Sequence, residues 1–151
     1  MATKDPKGPP LADQPRVIAV MTYDGVLALD IEQALETIGY GAWVEQGYDV
    51  LRLEADGPGR IDGGIVELRA SDATSHSTVE WLTLRGIPTV VVSMDEDERR
   101  EAAQIPKVIA NFAKPVLVDT LLPAIFAAVE ARITASPSRH DEPGAAATPA
   151  E

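Results

Sequence analysis

Short apolar runs alternate along the chain with stretches whose apolar residues recur every three or four positions. Five runs rich in β-branched and small apolar residues predict strands, at 17–21, 42–44, 63–66, 89–92 and 107–110. The stretches between and after them predict helices, at 27–38, 47–55, 77–86, 95–104 and from 119 onward. The run at 17–21 is apolar at every position, which is typical of a strand buried on both faces of a sheet.

Local signals mark the ends of several predicted helices. Gly39 follows the first helix, where a glycine commonly ends a helix in the left-handed conformation. Ser77 and Glu80 have the spacing of a capping box, which predicts that Ser77 begins the third helix. Acidic residues come first in segment 95–104, and this order favours a helix because the N-terminal end of a helix dipole is positive.

The alternation of strands and helices predicts the fold class. It favours an α/β fold, with a five-stranded parallel sheet doubly wound with five helices. The carboxyl ends of the strands then meet at one edge of the sheet, where such folds bind ligands. Polar and charged residues follow four of the predicted strands, namely Thr22, Tyr23, Asp24, Glu67, Arg69, Ser93 and Lys114.

Composition narrows the functional classes. The chain has 151 residues and a net charge of −11, so its surface repels nucleic acid and anionic membranes. It has no cysteine and two histidines, too few for a thiolate or histidine metal centre, and His76 is expected to be solvated in a polar loop. Segments 1–15 and 135–151 are expected to be disordered tails around one domain at 16–134. With no apolar leader or membrane span, the chain is expected to be cytoplasmic.

An ordered set of motifs resembles the receiver domain of two-component response regulators. The segments RVIAV, ALDIEQALETIGY, IDGGIVEL, LRGIPTVVVS and AKPV follow one another at that family's spacings, over about residues 16–132. The resemblance implies a flavodoxin-like receiver fold. It also implies a pocket in which an aspartate after the third strand accepts a phosphoryl group. In that family, Mg²⁺ is held by this aspartate and by an acidic pair after the first strand.

The chain departs from the family pattern in this pocket. Glu67 stands at the phospho-acceptor position, and the acidic pair falls on Thr22 and Tyr23, or on Met21 and Thr22 when aligned from the first strand. Asp24 is available either as a single metal ligand or as the cap of the first helix. Glutamate moves its carboxylate outward by about 1.5 Å, and Mg²⁺ needs near-octahedral oxygen ligands. We therefore expect a degenerate receiver that lacks the aspartyl-phosphate switch and holds no Mg²⁺ or other cofactor.

Glu67 has three interpretations at this point. It is an acid paired with Lys114 or Arg69 in a fold that has lost its switch, or it imitates the phosphorylated state, or it is a site of residual phosphorylation or of another ligand. The imitation would use Ser93 and Lys114, which match the receiver's phosphate-sensing pair. Ser93 alternatively caps the next helix. Tyr23 is expected to fill the vacated metal pocket.

These expectations lead to a non-enzymatic signalling protein that acts by protein–protein interaction. The partners that the resemblance implies are a histidine kinase, a phosphotransferase or another response regulator, and a homodimer through the fourth and fifth helices is also expected. No nucleic acid or membrane partner is expected. Two alternatives stand beside this reading. One is a receiver with atypical phosphorylation through Asp24, Asp72 or Glu67, and the other is a small-molecule-binding flavodoxin-like module that uses the strand-end crevice.

Overall fold

The structure is a computed structural model, which describes residues 15–45, 60–69 and 72–147, with side chains up to residue 134. These residues form five strands, namely β1 (Val17–Met21), β2 (Gly41–Glu45), β3 (Gly63–Glu67), β4 (Thr89–Ser93) and β5 (Val108–Ala113). Within the described ranges there are four helices, α1 (Gly25–Thr37), α2 (Ala73–Leu84), α3 (Glu96–Ala102) and α4 (Val118–Ala147). The further helix predicted at 47–55 lies outside the described residues.

All strand pairs are parallel, and the strand order is β2-β1-β3-β4-β5. The predicted α/β fold with a five-stranded parallel sheet is therefore confirmed. In the register of the central strands, Val20 lies beside Ile65, and Ile65 lies beside Val90. These three side chains are buried on the same face of the sheet. A parallel sheet needs cover on both faces, and this one receives it from helices on each side.

Each face of the sheet has its own core. On one face, β-strand residues pack against α1 and α4 through Ile31, Leu35, Leu121, Ile125 and Val129, all of them buried. On the other face, α2 and α3 contribute Val79, Leu82 and Ala102. Alternate residues of β3 face opposite cores, as the period of a strand requires. Both cores are therefore anchored to the same central strand.

Two glycines in β3 let helices approach the sheet closely. A Cβ atom on Gly63 would lie 2.8 Å from Val129 Cγ2, and one on Gly64 would lie 2.7 Å from Leu82 Cδ1. Both distances are shorter than ordinary contacts between carbon atoms. Helix α4 therefore packs against one face of β3 and α2 against the other, and neither glycine leaves room for a methyl group.

The helix ends agree with the sequence analysis in one case and differ in another. The first helix is followed by Gly39, whose φ is +84°, as predicted. The prediction that Ser77 begins the next helix is wrong, since α2 starts at Ala73. Asp72 is its N-cap, and its carboxylate accepts a hydrogen bond from the backbone N–H of Thr74. An aspartate earlier in the chain thus satisfies the first N–H groups, and Ser77 lies inside the helix.

Other boundaries lie beyond the predicted ones. Strand β5 extends to Ala113 and is preceded by Lys107, which has a φ of +81°. The backbone of α4 is helical through Ala147, whereas the sequence predicts a disordered tail from residue 135. The domain limits at 16 and 134 stay a prediction.

A polar cluster ties the end of α1 to α4. The buried Tyr40 donates its hydroxyl proton to Glu130 Oε2 at 2.6 Å, and Arg16 Nε lies 3.3 Å from the same oxygen. Burial, together with the hydrogen bond to the carboxylate, raises the pKa of the Tyr40 phenol. The ring of Tyr40 stacks on Phe126, with 5.6 Å between the ring centroids. Among the described residues, no helix is long and apolar enough to cross a membrane.

Candidate functional site

An ion-pair cluster lies where the carboxyl ends of β1, β3 and β5 meet. Lys114 follows β5, and its Nζ atom lies 3.0 Å from Glu67 Oε2 and 3.1 Å from Asp24 Oδ2. The Lys114–Pro115 peptide bond is cis. Strand order explains the meeting, because β3 is central and the loops after β1 and β5 fold over its end. One ammonium group thus bridges two carboxylates at the edge where the sequence predicts the site.

The second oxygen of Glu67 is also engaged. The hydroxyl of Thr22, a buried residue directly after β1, donates a hydrogen bond to Glu67 Oε1. The same hydroxyl oxygen accepts a hydrogen bond from the backbone N–H of Asp24 at 2.9 Å. Thr22 therefore helps to orient both carboxylates. Its hydroxyl donates to the Glu67 side chain and accepts from the backbone of Asp24. Both oxygens of Glu67 have a donor.

Asp24 performs two tasks with its two oxygens. Oδ1 accepts hydrogen bonds from the backbone N–H groups of Val26 and Leu27, at 3.1 and 3.0 Å, so Asp24 is the N-cap of α1. Oδ2 faces Lys114. The sequence left open whether this residue is a cap or a pocket carboxylate, and the structure gives it both positions. Capping fixes the carboxylate in place, which holds the ion pair at a defined distance.

The charges of this cluster reinforce one another. The pKa of Asp24 is held below its usual value, chiefly by the hydrogen bond from the Leu27 N–H and next by that from Lys114. Burial lowers the pKa of Lys114, but hydrogen bonds and charge attraction from Glu67 and Asp24 outweigh it, so the net shift is upward. Asp24 and Lys114 are therefore charged at neutral pH, as an ion pair requires.

Ser93 turns away from this cluster. Its hydroxyl donates to Glu98 Oε1 at 2.7 Å and accepts from the backbone N–H of Asp95 at 3.0 Å. The expectation that Ser93 and Lys114 together bind the Glu67 carboxylate is therefore wrong for Ser93. The physical reason is a nearer acceptor, since Glu98 lies one turn into α3 and points back at the end of β4. The alternative that Ser93 caps the following helix is wrong, because the N-cap of α3 is Asp95, whose carboxylate accepts hydrogen bonds from the N–H groups of Asp97 and Glu98.

Glu98 is a polar residue that the sequence analysis missed. It is 8% exposed, and its Oε2 atom lies 2.9 Å from His76 Nε2 on α2. The prediction that His76 lies in a loop is wrong, because it belongs to α2; its side chain is exposed, as predicted, and is also paired with this carboxylate. A signal was present in the sequence. Glu98 lies four residues before the buried Ala102, so it occupies the core-facing side of α3.

Tyr23 and Arg69 form the rim of the pocket. The Arg69 guanidinium lies over the Tyr23 ring, 4.8 Å from its centroid, which is a cation–π arrangement. Tyr23 is half exposed, so the prediction that it fills the metal pocket is wrong. The ring lines the cavity beside Arg69 instead. A cavity of about 590 Å³ is left at the strand ends, bounded by these two residues and by Glu67, Ser93 and Lys114.

The carboxylates of the pocket already have partners. No group of three His, Cys, Asp or Glu side chains suited to a metal ion occurs among the described residues. Four carboxylates line the pocket. Asp24 and Glu67 share the Lys114 ammonium, Asp95 caps α3, and Glu98 is bonded to Ser93 and His76. An octahedral Mg²⁺ ion would have to compete with the Lys114 ammonium for the carboxylates of Asp24 and Glu67. The donor set therefore fits Mg²⁺ poorly.

Comparisons with known proteins agree on the fold. No protein-family model matches the chain, and no curated protein matches it. Solved structures do match, among them a CheY-like receiver domain from Methanospirillum hungatei JF-1. That structure has a TM-score of 0.68 and 17% identity, and the match covers 80% of this chain and 98% of that one. The Francisella response regulator 1452 receiver domain has a TM-score of 0.64 and 16% identity, with 78% and 98% covered.

A third match is the receiver domain of a modulated diguanylate cyclase from Desulfovibrio desulfuricans G20. Its TM-score is 0.62 at 23% identity, and the match covers 81% of this chain and 98% of that one. All three matches take in nearly the whole of the other domain. The chain therefore has the fold of response-regulator receiver domains, and the predicted fold class is confirmed.

Proposed function

We propose that this protein is a signalling protein of the two-component type that works by binding other proteins, without enzymatic activity of its own. In this proposal its strand-end pocket uses neither aspartyl phosphorylation nor Mg²⁺. The receiver fold supports the signalling class, and the side chains of the pocket support the loss of the phosphoryl switch.

The observation that carries the proposal is the bridge from Lys114 to Asp24 and Glu67. Hydrogen bonds and an ion pair make a carboxylate oxygen a weaker nucleophile towards a phosphoryl group, and both oxygens of Glu67 already have donors. Catalysis of phosphoryl transfer also depends on a metal ion that neutralises charge on the transferring group. Thr22 occupies a position where the family places a carboxylate, so one of the family's metal ligands is missing here.

The arrangement favours one of the three interpretations of Glu67. A carboxylate that imitates a phosphoryl group would draw both the hydroxyl after β4 and the ammonium after β5. Here the ammonium of Lys114 reaches Glu67, while the hydroxyl of Ser93 reaches Glu98. The contact from the hydroxyl after β4, which this imitation needs, is therefore missing. We infer that Glu67 is an ion-paired acid in a receiver that has lost its switch.

Exposed apolar side chains at the same edge support action by contact. Tyr23, Val26, Met94 and Leu117 lie in the loops after β1, β4 and β5 or in the first turn of α1, and each is at least half exposed. Apolar side chains gathered at one edge are typical of a surface that binds protein. The partners we propose are a histidine kinase, a phosphotransferase or another response regulator. A homodimer through α3 and α4 is also proposed.

The test is an amide NMR titration with Mg²⁺, followed by Mg²⁺ with beryllofluoride, which mimics a phosphoryl group. We expect no localised shifts in the natural protein. The double variant with Thr22→Asp and Glu67→Asp is the matched positive control, since it adds a carboxylate and shortens the acceptor. Shifts in the natural protein that cluster at Asp24, Glu67, Ser93 and Lys114 would overturn the proposal.

A second candidate function rests on the size of the strand-end cavity. A volume of about 590 Å³ lies within the range of small-molecule sites, roughly 300–1,000 Å³. Arg69 and Lys114 would provide polar anchors, and Tyr23 would provide an aromatic wall. Native mass spectrometry of the freshly purified protein tests this function. A bound small molecule supports it, whereas a mass equal to that of the chain alone speaks against it.

A further inference from the structure

A second cavity lies between α2 and α3, outside the strand-end pocket. Its volume is about 410 Å³, which is large enough to receive several side chains. Its floor is apolar and buried, and it consists of Leu68, Val79 and Ala102. The exposed Leu84, with 79% of its surface accessible, stands at the rim. We call this cavity the α2–α3 groove.

The polar groups of the α2–α3 groove are predominantly acidic. Three carboxylates line it, those of Glu80, Glu98 and Glu101, and no lysine or arginine is among the described residues that do so. Its single basic group is His76, at the end nearer β4. The groove therefore combines an apolar floor with a negative wall. Such a surface is complementary to a positive charge carried on an apolar segment.

Glu98 is the carboxylate that gives the α2–α3 groove its specificity. A buried carboxylate is stable only when it is hydrogen-bonded or paired with a positive charge. Its present partners are the hydroxyl of Ser93 and the imidazole of His76, and neither is a permanent cation. A guanidinium or ammonium group would bind the same oxygens more strongly, because both partners would then be charged. Glu98 and Leu68 also border the strand-end cavity, so the two cavities share one wall.

We propose that the α2–α3 groove is the docking site for a segment of a partner protein that presents an arginine or lysine among apolar residues. Glu98 receives the charge, displacing His76, and the floor receives the apolar side chains. Leu84 at the rim extends the apolar surface beyond the groove, which suits a peptide segment better than a small ion. When Glu98 binds this charge, its hydrogen bond to Ser93 weakens. Docking therefore changes the surroundings of Ser93 in the strand-end pocket.

The proposal rests on the proposed function only in that the protein works by binding another protein. Its test is separate. A failed docking experiment leaves the Mg²⁺ and beryllofluoride result unchanged, and a pocket that binds beryllofluoride says nothing against docking in the groove.

The experiment uses the full-length, ¹⁵N-labelled protein and three probes. They are a short amidated peptide with one arginine between two leucines, the same peptide with citrulline in place of arginine, and argininamide alone. We expect the arginine peptide to shift the amide signals of Val79, Thr83 and Ala102, and also that of Ser93. The citrulline peptide should bind at least about 10-fold more weakly, because it lacks the charge.

Two variants of α3 provide a matched comparison. E98Q removes the charge inside the groove, whereas E96Q removes the same charge from the solvent face, where Glu96 pairs with Arg100. We expect E98Q to weaken the arginine peptide at least about 10-fold and to abolish the Ser93 shift, and E96Q to change its affinity less than about 2-fold. E101Q, at the exposed rim, should weaken binding about 2- to 3-fold and serves if E98Q disturbs the fold.

Three results would overturn the proposal. The first is equal affinity of E96Q and E98Q for the arginine peptide, which would mean attraction by net charge alone. The second is binding of argininamide as tightly as the peptide, which would assign the groove to a small cation. The third is an absence of groove shifts with both peptides.

Discussion

The substitution Lys114→Met removes the ammonium group that joins Asp24 to Glu67 and leaves two carboxylates facing each other. The side chains of Lys114, Glu67 and Asp24 are 20%, 12% and 35% exposed. Loss of one partner from a fully buried ion pair costs about 3–5 kcal/mol, whereas exposed pairs contribute about 0.2–1 kcal/mol. Because this cluster is only partly accessible to water, we expect the free energy of unfolding at pH 7 to fall by about 2 kcal/mol.

The pH dependence of this loss follows from the directions of the two pKa shifts. The pKa of Asp24 is lowered in the folded protein, so its stabilisation is present above the unfolded value and is lost as the pH falls through the folded value. The pKa of Lys114 is raised, so its contribution is complete below the unfolded value and disappears only as the pH rises through the higher folded value. The difference in stability between the natural protein and the variant should therefore shrink as the pH falls from 7 to about 3.

The assay is urea denaturation followed by far-ultraviolet circular dichroism at both pH values. Arg100→Met is the matched control, because Arg100 also bridges two carboxylates, Glu96 and Asp97, but its side chain is 62% exposed. We expect this control to lose less than about 0.5 kcal/mol. Equal losses in the two variants, or a loss in Lys114→Met that stays constant on acidification, would refute the argument that the bridge is partly buried and charged.

Three further substitutions test the packing and the backbone. Gly64→Ala places a methyl group 2.7 Å from a terminal carbon of the buried Leu82. The urea midpoint should therefore fall by the equivalent of about 1–3 kcal/mol. Gly41→Ala is the control, because its methyl group would lie 3.6 Å from the nearest atom, and its midpoint should change little. Lys107→Gly relieves a φ of +81° and should stabilise the protein by about 1 kcal/mol, measured in the same way; a loss of stability would contradict the strain. Tyr40→Phe removes a hydrogen bond to a carboxylate and should lower stability by about 1–2 kcal/mol, seen as a lower thermal midpoint; an unchanged midpoint would show that the bond contributes nothing.

The fold was predictable because its strongest signals are local and repeated. The apolar runs at 17–21 and 89–92 are buried strands, and the helical spacings between runs identify the elements that cover the sheet. The wrong predictions of element boundaries occur where one local sequence pattern is compatible with two structures. The spacing of Ser77 and Glu80 also occurs inside helices, and Asp72 provides an earlier cap. Asn111 makes β5 look shorter than it is, because an edge strand tolerates a half-buried polar residue.

The site was predictable in its membership and less so in its contacts. Since parallel strands end at one edge, the sequence alone places Asp24, Glu67 and Lys114 together. The direction of Ser93 depends on which acceptor lies nearest in space, and that acceptor belongs to the next helix. Its orientation is set by how α3 packs on the sheet. The outward position of Tyr23 likewise depends on a contact with Arg69 that no spacing along the chain reveals.

Lys114 is a counterion that belongs to the chain itself. A dissolved cation neutralises a pair of carboxylates only in proportion to its concentration, and the protein is less stable when that ion is scarce. A tethered ammonium is present at a fixed effective concentration set by the backbone between β5 and α4. The charge compensation at the strand ends therefore requires no dissolved cation. The positive charge is encoded in the sequence as Lys114.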